Sequence, residues 1–211
     1  MKSNAQTRGP EAWNPVPNDE QEKQLLDVAD LALGHASSLG ASAAEASLGH
    51  GRGISVTVRS GEVETVEHNR DKSLSVTVYF GHRSGNASTT DFSREAVISC
   101  VEAAQRIAKY TEEDPYNGLA DPARLAREIP DLDLFHPWDV SMEEAVDIAR
   151  RCEHAALSTD ERIKNTEGGS LSSHHGADLY ANSDDFRGLT RSSRHSISCS
   201  VIAGEGSEMQ R

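Results

Sequence analysis

The clearest pattern in the chain is an alternation of apolar and polar residues between Gly53 and Thr90. Every second residue is apolar over two stretches, and turn-forming residues follow each of them. These apolar positions are Ile54, Val56 and Val58, and then Leu74, Val76, Val78 and Phe80. Because side chains alternate between the two faces of a strand, the pattern predicts a meander of half-buried antiparallel strands. No catalytic group stands out in it, so we expect a sheet that carries something on its polar face or at its edge.

Three other stretches have the spacing of amphipathic helices. The first spans residues 20–40, and the second follows Asp91 or Ser93 as its N-cap. The third begins at Ser141, and Glu144 completes a capping box. The predicted buried stripes are Leu25, Leu26, Ala29, Ala32, Leu33 and Ala36 in the first, Ala96, Val97, Cys100, Val101, Ala104 and Ile107 in the second, and Ala145, Ala149, Cys152 and Ala156 in the third.

Glycines and short polar runs predict where the first strands turn. A first strand is expected at about residues 41–48, and Gly51 and Gly53 separate it from the meander. The dipeptide at residues 60–61, Ser-Gly, is typical of a tight hairpin turn. Residues 81–85, which begin and end with glycine, close the next hairpin.

A second β region is predicted from Arg162 onward. Gly168-Gly169 is interpreted as a turn or bulge between two of its strands, and residues 195–201 alternate as its last strand. A glycine-rich turn follows at residues 204–206, just before the sequence stops. We therefore expect no strand to return and pair with the last one, and we interpret the chain as a fragment or the front half of a longer protein.

Taken together, these elements predict an α+β fold with mostly antiparallel sheets and about three helices. Residues 1–18 are polar and proline-containing, so we expect a disordered N-terminal arm there. Residues 19–211 are interpreted as one domain, in which the stretch 111–140 is irregular.

The charge balance excludes several classes of partner. The chain has 34 acidic and 21 basic residues and a formal net charge of −13. This argues against binding to nucleic acid or to an anionic membrane, both of which require a basic surface. An aromatic content of 5% also offers no platform for stacking bases.

Compartment is indicated by what the sequence lacks. No apolar run is long enough for a membrane span, and no hydrophobic segment follows the N-terminal Lys2 and Arg8 as in a secretory signal. The three cysteines, Cys100, Cys152 and Cys199, form no Cys-x-x-Cys pair. They are interpreted as small buried hydrophobic residues in a reducing compartment. We therefore expect a cytoplasmic protein with no membrane contact.

Candidate catalytic chemistry is sparse. None of the nine histidines has the His-Glu-x-x-His spacing that places two imidazoles on one helix face. The neighbours His174 and His175 would point to opposite faces of a strand, which is poor geometry for a metal site. Three serines near His174 could suggest a nucleophile, but no Gly-x-Ser-x-Gly motif surrounds them. These serines are Ser170, Ser172 and Ser173.

Two further segments carry polar groups of interest. The acidic run Glu62, Glu64, Glu67 and Asp71 is best interpreted as a solvated strand face, although paired carboxylates can perform acid–base catalysis. The candidate contact segment consists of Asn165, Thr166, Glu167, Gly168, Gly169 and Ser170. Its two glycines permit a close backbone approach, so it is our candidate for contact with a peptide or a partner, with a plain hairpin bend as the alternative.

Several separated segments together resemble one known family. They are residues 53–67 (GISVTVRSGEVETVE), 130–137 (PDLDLFHP), 165–170 (NTEGGS) and 193–196 (SRHS). These segments occur in the same order as in the TldD/PmbA family. Over nearly all of residues 20–211, the chain resembles the N-terminal domain of that family. It is more similar to the PmbA-type subunits, also called TldE, than to the TldD-type subunits.

The resemblance implies a cytoplasmic, two-subunit zinc metalloprotease that acts on small or unfolded peptides. In the family, zinc is held by a His-Glu-x-x-x-His motif of the TldD-type subunit, beyond this domain, and no such motif occurs in residues 1–211. We therefore expect no metal, no cofactor and no catalytic residue in this chain, and zinc only in a TldD-like partner. The family's C-terminal domain is absent from the chain.

The hypothesis that follows is a subunit part that docks a TldD-like partner and encloses a peptide rather than cutting it. Whether the whole protein is an enzyme stays open at this point. One alternative is a metallopeptidase whose active site lies in the missing C-terminal half. Another is a modulator of DNA gyrase without proteolytic activity, a label that the family also carries.

Overall fold

A computed structural model describes residues 19–126, 128–205 and 208–210 of the chain. The predicted disordered arm, residues 1–18, lies outside the described residues. In chain order the elements are α1 (Glu20–Ser38), β1 (Ala43–Arg59), β2 (Glu62–Phe80), β3 (Arg83–Thr89), α2 (Arg94–Ala108), α3 (Met142–Leu157), β4 (Ile163–Asn182), β5 (Arg187–Glu205) and β6 (Glu208–Gln210). A short 3₁₀ helix, Pro122–Arg124, lies in the irregular stretch between α2 and α3.

The strands form one six-stranded sheet with the order β3-β2-β1-β4-β5-β6. β2 and β3 pair antiparallel, from Leu74 opposite Thr89 to Phe80 opposite Arg83. β5 and β6 also pair antiparallel. Together with the three helices, this sheet confirms the predicted α+β class.

The predicted break between the first strand and the meander does not exist. β1 runs without interruption through Gly51 and Gly53. A Cβ atom at residue 53 would collide with the His174 ring and come within 2.6 Å of the Ser173 carbonyl oxygen. Gly53 therefore permits a close approach between two strands, and a glycine with this role looks the same in a sequence as a glycine in a turn.

The Gly168-Gly169 pair is likewise not a connection between two strands. Both residues lie inside β4, which continues for 20 residues. Gly168 has a φ of +105°, a backbone conformation that side chains disfavour. This residue distorts the strand locally without ending it, which is one way that a glycine serves inside a sheet.

A further correction concerns the end of the sheet. We expected no strand after β5, but β6 returns and pairs with Ala203–Glu205. The pairing covers three residues of each strand. A strand this short has no measurable period of apolar residues, so sequence patterning could not reveal it.

Contacts divide the chain into two compact units. Unit 1 contains the described residues up to His50, together with Lys72–Leu132 and Ala177–Thr190. Unit 2 contains Gly51–Asp71, Asp133–Gly176 and the described residues from Arg191 onward. The interpretation of residues 19–211 as one domain stays a prediction, because compactness alone does not show which part folds independently.

Unit 1 has the larger hydrophobic core. α1 packs on α2, and α2 packs on β3, where a Cβ at Gly85 would collide with the Ala104 carbonyl oxygen. Ser93 is the N-cap of α2, and its side chain accepts a hydrogen bond from the Ala96 amide. Ile107, predicted to be buried, is 48% exposed, and the next residue, Ala108, is buried in its place. Fully buried members of this core include Leu25, Ala29, Ala32, Ala36, Ala46, Leu74, Val76, Val97, Val101 and Ala104.

Unit 2 is built on α3. The core consists of Val56 and Val58 of β1, Ala145 and Ala149 of α3, and Leu171 of β4. The predicted capping box is present: Ser141 accepts from the Glu144 amide, and the Glu144 carboxylate accepts from the Ser141 amide. The other two predicted members of the α3 stripe, Cys152 and Ala156, are only half-buried.

A buried carboxylate fastens α3 to the β1–β2 hairpin of unit 2. Glu153, 2% exposed, accepts hydrogen bonds from the amides of Ser60 at 2.8 Å and Gly61 at 2.9 Å. Both turn residues have positive φ, 54° and 80°, as in the tight hairpin turn predicted for this dipeptide. The helix thus supplies the acceptor that two amides of the turn would otherwise lack.

Candidate functional site

The predicted contact segment, residues 165–170, forms part of β4 in unit 2. Thr166 is 2% exposed, and its hydroxyl accepts from the Gly168 amide at 2.8 Å and donates to the Ser200 carbonyl at 3.2 Å. The side chains of Asn165 and Glu167 are exposed. Only part of the segment is therefore accessible to another molecule.

The two glycines of the segment lie where neighbouring backbones come close. A Cβ at Gly168 would lie 2.9 Å from the Val58 carbonyl oxygen. A Cβ at Gly169 would collide with the Ala149 carbonyl oxygen of α3 and lie 2.9 Å from the Glu153 amide nitrogen. Internal packing thus accounts for both glycines, and the role of the segment in contact with a peptide or partner stays a prediction.

A polar face covers the side of the unit 2 sheet that faces away from its hydrophobic core. Its residues on β1 and β4 alternate with the core residues Val56, Val58 and Leu171, a serine of β5 joins them, and all are half-buried or exposed. Their hydroxyls and one imidazole bond to one another across the strands: Thr57 to Ser170 at 3.0 Å, Ser172 to Ser196 at 2.7 Å, and Ser55 to His174 at 3.4 Å. We call these residues the polar face.

One edge of the unit 2 sheet has no neighbouring strand among the described residues. β3 pairs only with Leu74–Phe80 of β2. Within the residues that the structure describes, no strand therefore lies beside the preceding part of β2, Glu62–Asp71, which we call the open edge. Its side chains are almost all exposed, and even Val63 and Val66 are each 44% exposed. This part of the predicted meander is exposed on both faces, not half-buried as predicted.

The hairpin fixes which backbone groups of the open edge point outward. In a two-residue hairpin, the residues on either side of the turn exchange both of their backbone hydrogen bonds. Glu62 therefore directs its N–H and C=O toward β1, and the alternation along β2 directs those of Val63, Thr65 and Glu67 outward. These outward groups are available to an added strand.

The adjacent histidines lie on opposite faces of β4, as predicted. His174 belongs to the polar face, through its contact with Ser55. His175 accepts from the Arg52 guanidinium at 2.7 Å, and the Phe135 ring packs edge-on against it at 6.0 Å between centroids. The two imidazoles are therefore held by different neighbours and do not converge on a ligand.

The structure pairs a serine with a histidine, but with His195 and not with His174. Ser173 Oγ lies 2.9 Å from His195 Nδ1, and His195 Nε2 lies 2.8 Å from the His136 carbonyl oxygen. Because a carbonyl oxygen only accepts, Nε2 carries the proton and the Ser173 hydroxyl donates to Nδ1. Ser173 is only 4% exposed, so this arrangement fastens residues 133–138 to β5 and does not present a nucleophile to a substrate.

Comparison with known proteins decides the family. A profile described as PmbA/TldA metallopeptidase domain 1 matches residues 44–108, and the PmbA/TldA metallopeptidase central domain matches residues 135–211. Metalloprotease PmbA of Escherichia coli O157:H7 is 47% identical over 200 residues, which are 95% of this chain and 44% of that protein. The chain belongs to the PmbA/TldD family.

A second relative agrees with this assignment, and two solved structures share the fold. A Metalloprotease PmbA homolog of Haemophilus influenzae is 44% identical over 87% of this chain and 41% of its own length. The chain thus spans less than half the length of these curated relatives. A structure from Bacteroides thetaiotaomicron, described as a modulator of DNA gyrase, has a TM-score of 0.80 at 22% identity over 90% of this chain and 43% of its own. TldE from Thermococcus kodakarensis has a TM-score of 0.68 at 15% identity over 89% and 41%.

The family name implies a metal, and the described residues do not fit one. In that part of the chain, no group of three or more His, Cys, Asp or Glu side chains is placed to hold a metal ion. Both ring nitrogens of His195 are engaged by protein groups, and His175 Nε2 already accepts from Arg52. These three imidazole nitrogens are thus already in use as hydrogen-bond partners.

The three cysteines are at least half-buried. Cys100 is buried, Cys152 and Cys199 are half-buried, and all three are free thiols. Burial raises the pKa of the Cys100 and Cys152 thiols, which disfavours the reactive thiolate. Among the described residues, no helix is both long and apolar enough to cross a membrane.

Sequence reasoning found the acidic run of β2 but missed the feature that matters there. It interpreted Glu62, Glu64, Glu67 and Asp71 as a solvated strand face, and these side chains are indeed exposed. The missing strand partner beside them was not predicted.

Proposed function

We propose that the chain is the N-terminal part of a PmbA/TldE-like subunit of a cytoplasmic, two-subunit zinc metalloprotease that acts on small or unfolded peptides. In this proposal the chain docks a TldD-like subunit and helps to enclose the peptide, and the zinc and the catalytic residues belong to the partner. Relatives named Metalloprotease PmbA and a fold shared with a TldE support it. The three free thiols are consistent with a reducing compartment.

The observation that carries the proposal is the open edge of β2. An extended peptide that adds to such an edge is held by main-chain hydrogen bonds, which do not depend on its sequence. A protease of unfolded substrates requires this kind of recognition, because its substrates share a backbone and not a side-chain motif. The outward N–H and C=O groups of Val63, Thr65 and Glu67 provide the matching partners.

Docking to a TldD-like subunit is tested by co-purification. This chain and a TldD-like subunit from the same source are expressed together, and their complex is measured by size-exclusion chromatography with light scattering. We expect a stable complex that contains both chains. Separate elution of the two at micromolar concentrations would contradict the docking role.

The peptide-binding role of the open edge is tested by removing one outward N–H. Proline fits an edge strand where its missing N–H faces solvent, so Thr65→Pro is expected to leave the ladder to β1 intact. Loss of one main-chain hydrogen bond should weaken the binding of an unstructured peptide about fivefold, and Thr65→Ala should bind like the original chain. Glu67→Pro, at the next outward position, provides a second variant, and circular dichroism verifies the fold of each. Unchanged binding in both folded proline variants would contradict the role of this edge.

One alternative is that the complete protein cuts peptides by itself, with an active site outside these residues. The shared name metalloprotease favours it. Peptidase assays on the complete protein, with and without a TldD-like subunit and a chelator, separate the two. Chelator-sensitive activity of the complete protein alone would reject the partner-dependent reading.

A second alternative is a role as a modulator of DNA gyrase, which is how the structural neighbour from Bacteroides thetaiotaomicron is described. At 22% identity, this neighbour shows a shared fold but not a shared function. Capture experiments with gyrase and with a TldD-like subunit distinguish the two roles. Binding of gyrase, without binding of a TldD-like subunit, would favour the alternative.

A further inference from the structure

A cleft lies within unit 1. It has a volume of about 700 Å³ and lies on the side of the sheet away from α1 and α2. Small side chains of three neighbouring strands line it: Ser47 of β1, Ser73 and Ser75 of β2, and Ser88 of β3. These serines alternate with residues of the hydrophobic core, which explains why the cleft lining is polar on this side.

Apolar groups form another part of the cleft. Tyr180 of β4, Phe186 of the β4–β5 turn and Ile129 belong to the lining. The rings of Tyr180 and Phe186 lie 5.9 Å apart, and Ile129 closes against Gly188. A flexible aliphatic chain could pack against these groups, and a cation could lie over the rings.

The charge of the cleft comes from one carboxylate. Asp178 is exposed and belongs to the lining. Among the described residues, the lining contains no Lys, Arg or His. Its Oδ1 atom would lie 2.8 Å from a Cβ at Gly49, so the carboxylate occupies the space that this glycine leaves open. No hydrogen bond or ion pair to the Asp178 carboxylate is present within the described part of the chain.

A second carboxylate nearby is already engaged in hydrogen bonds. Glu45 accepts from the hydroxyls of Tyr79 at 2.8 Å and Tyr180 at 2.6 Å. Burial, reinforced by the bond to Glu45, raises the pKa of Tyr180 to about 12, so the phenol stays a donor at neutral pH. The contrast with Asp178 is clear, since Glu45 has two hydrogen-bond donors and the Asp178 carboxylate has none among the described residues.

We propose that this cleft receives a lysine or arginine side chain of an extended polypeptide, with the cationic group paired to Asp178 and the aliphatic stem against Tyr180 and Phe186. The volume exceeds that of one side chain, so backbone of the polypeptide also enters, where the serine hydroxyls can donate to and accept from it. This inference deepens the proposed function and rests on it, because it names the charge preference of the enclosed peptide.

The test compares peptides that differ only in the charge of one side chain. Unstructured peptides of about ten residues carry lysine, norleucine or glutamate at the centre, and fluorescence anisotropy gives their affinity for the whole chain. Norleucine retains the aliphatic stem of lysine without the ammonium group. We expect the lysine peptide to bind about fivefold more tightly than the norleucine peptide, and the glutamate peptide to bind most weakly.

Variants assign that preference to the cleft. Asp178→Asn should abolish the difference between the lysine and norleucine peptides, while Glu112→Gln, which removes the same charge at an exposed position outside the cleft lining, should preserve it. Gly49→Ala, which forces the Asp178 side chain to move, should reduce the difference. Thermal denaturation verifies that each variant is folded, and nuclear magnetic resonance shift changes should concentrate at Ser47, Ser73 and Thr190.

The outcomes separate this inference from the proposed function. Equal binding of the lysine and norleucine peptides, or a preference that survives in Asp178→Asn, overturns the role of the cleft and leaves the open edge of β2 untouched. Failure of all peptides to bind overturns both. Binding of N-acetyl-lysine amide as tightly as the lysine peptide would also overturn the inference, because it would show a site for a small amine and not for a polypeptide.

Discussion

At the scale of single residues, Glu153 is the group whose loss the fold should tolerate least. It is a buried carboxylate on α3 that accepts from two amides of the β1–β2 turn. A buried carboxylate of this kind stabilises the fold only while it accepts hydrogen bonds from both amides. Sequence patterning could not identify it, because a glutamate on a helix is more often exposed.

Replacing Glu153 with alanine should lower the free energy of unfolding by about 2–3 kcal/mol, because two amides of the hairpin lose their charged acceptor. Glu153→Gln retains one acceptor oxygen and should lose about half as much. Urea unfolding followed by circular dichroism measures both. Glu161→Ala, at an exposed position, serves as the control and should change the free energy of unfolding by less than about 0.5 kcal/mol. A Glu153→Ala loss as small as that of the control would contradict this role.

Asp160 should make the stability of unit 2 depend on pH. Its carboxylate accepts from the Arg162 guanidinium and from the Arg162 amide, each at 2.9 Å. The side-chain bond first, and the amide bond next, hold the pKa of Asp160 well below its usual range. Because the pKa is lower in the folded state, the stabilisation is complete above the ordinary aspartate pKa of about 4 and disappears as pH falls toward the folded value.

The expected result is a higher melting temperature for the original chain than for Asp160→Asn at about pH 6, with a difference that shrinks as the pH falls below about 4. Arg162→Ala removes the guanidinium bonds but keeps the bond from the backbone amide of residue 162, so its melting temperature should lie between those of the original chain and Asp160→Asn at about pH 6. Differential scanning fluorimetry across this range provides the measurement. A difference that stays constant with pH would show that Asp160 acts in some other way.

At the scale of elements, glycines decide how closely α3 approaches the sheet. Gly169→Ala should destabilise the chain by about 2 kcal/mol or more, because the added Cβ collides with the Ala149 carbonyl oxygen, a backbone atom that has little room to move. Gly34→Ala is the matched control, since it lies exposed in α1 with nothing within 4 Å of the new Cβ. Alanine favours a helix, so this change should stabilise by about 0.5–1 kcal/mol. Urea unfolding should therefore give opposite signs for the two substitutions, and equal signs would contradict the packing argument.

Local rules predicted most elements and failed where a distant contact decides. Helix starts were correct at Ser93 and Ser141, because capping depends on residues within one turn. The breaks expected at Gly51, Gly53 and residues 168–169 were wrong, because those glycines sit inside continuous strands. Neither a close interstrand approach nor a bulge can be distinguished from a turn by composition alone.

How well each candidate surface could be predicted also depends on whether local patterns or distant contacts form it. Alternation along β1 correctly separated Ser55 and Thr57 of the polar face from Val56 and Val58 of the unit 2 core. The open edge and the cleft depend on which strands are neighbours and how long each one is, and these are long-range properties. Asp178 in particular has no local signature. It is one aspartate in β4, and its role in the cleft depends on the space that Gly49 leaves on the neighbouring strand, β1.

At the scale of the whole molecule, the net charge of −13 should favour cationic peptides at both the open edge and the cleft. Salt screens such attraction, so the affinity for the lysine peptide should fall about threefold when ionic strength rises from about 0.05 M to about 0.3 M. The norleucine peptide should change much less over the same range. Anisotropy titrations at several salt concentrations test this, and equal salt dependence for the two peptides would contradict it.

The four long strands have a consequence for how the chain can be divided. β1, β2, β4 and β5 each contribute residues to both units, so the covalent chain passes between the units inside these four strands, and once more between Leu132 and Asp133 in the irregular stretch before α3. The central-domain profile starts at residue 135, yet unit 2 also needs Gly51–Asp71, which carries Val56 and Val58 of its core. Expressing residues 133–211 by themselves would leave Leu171 without these apolar partners, so no single proteolytic cut releases either half intact.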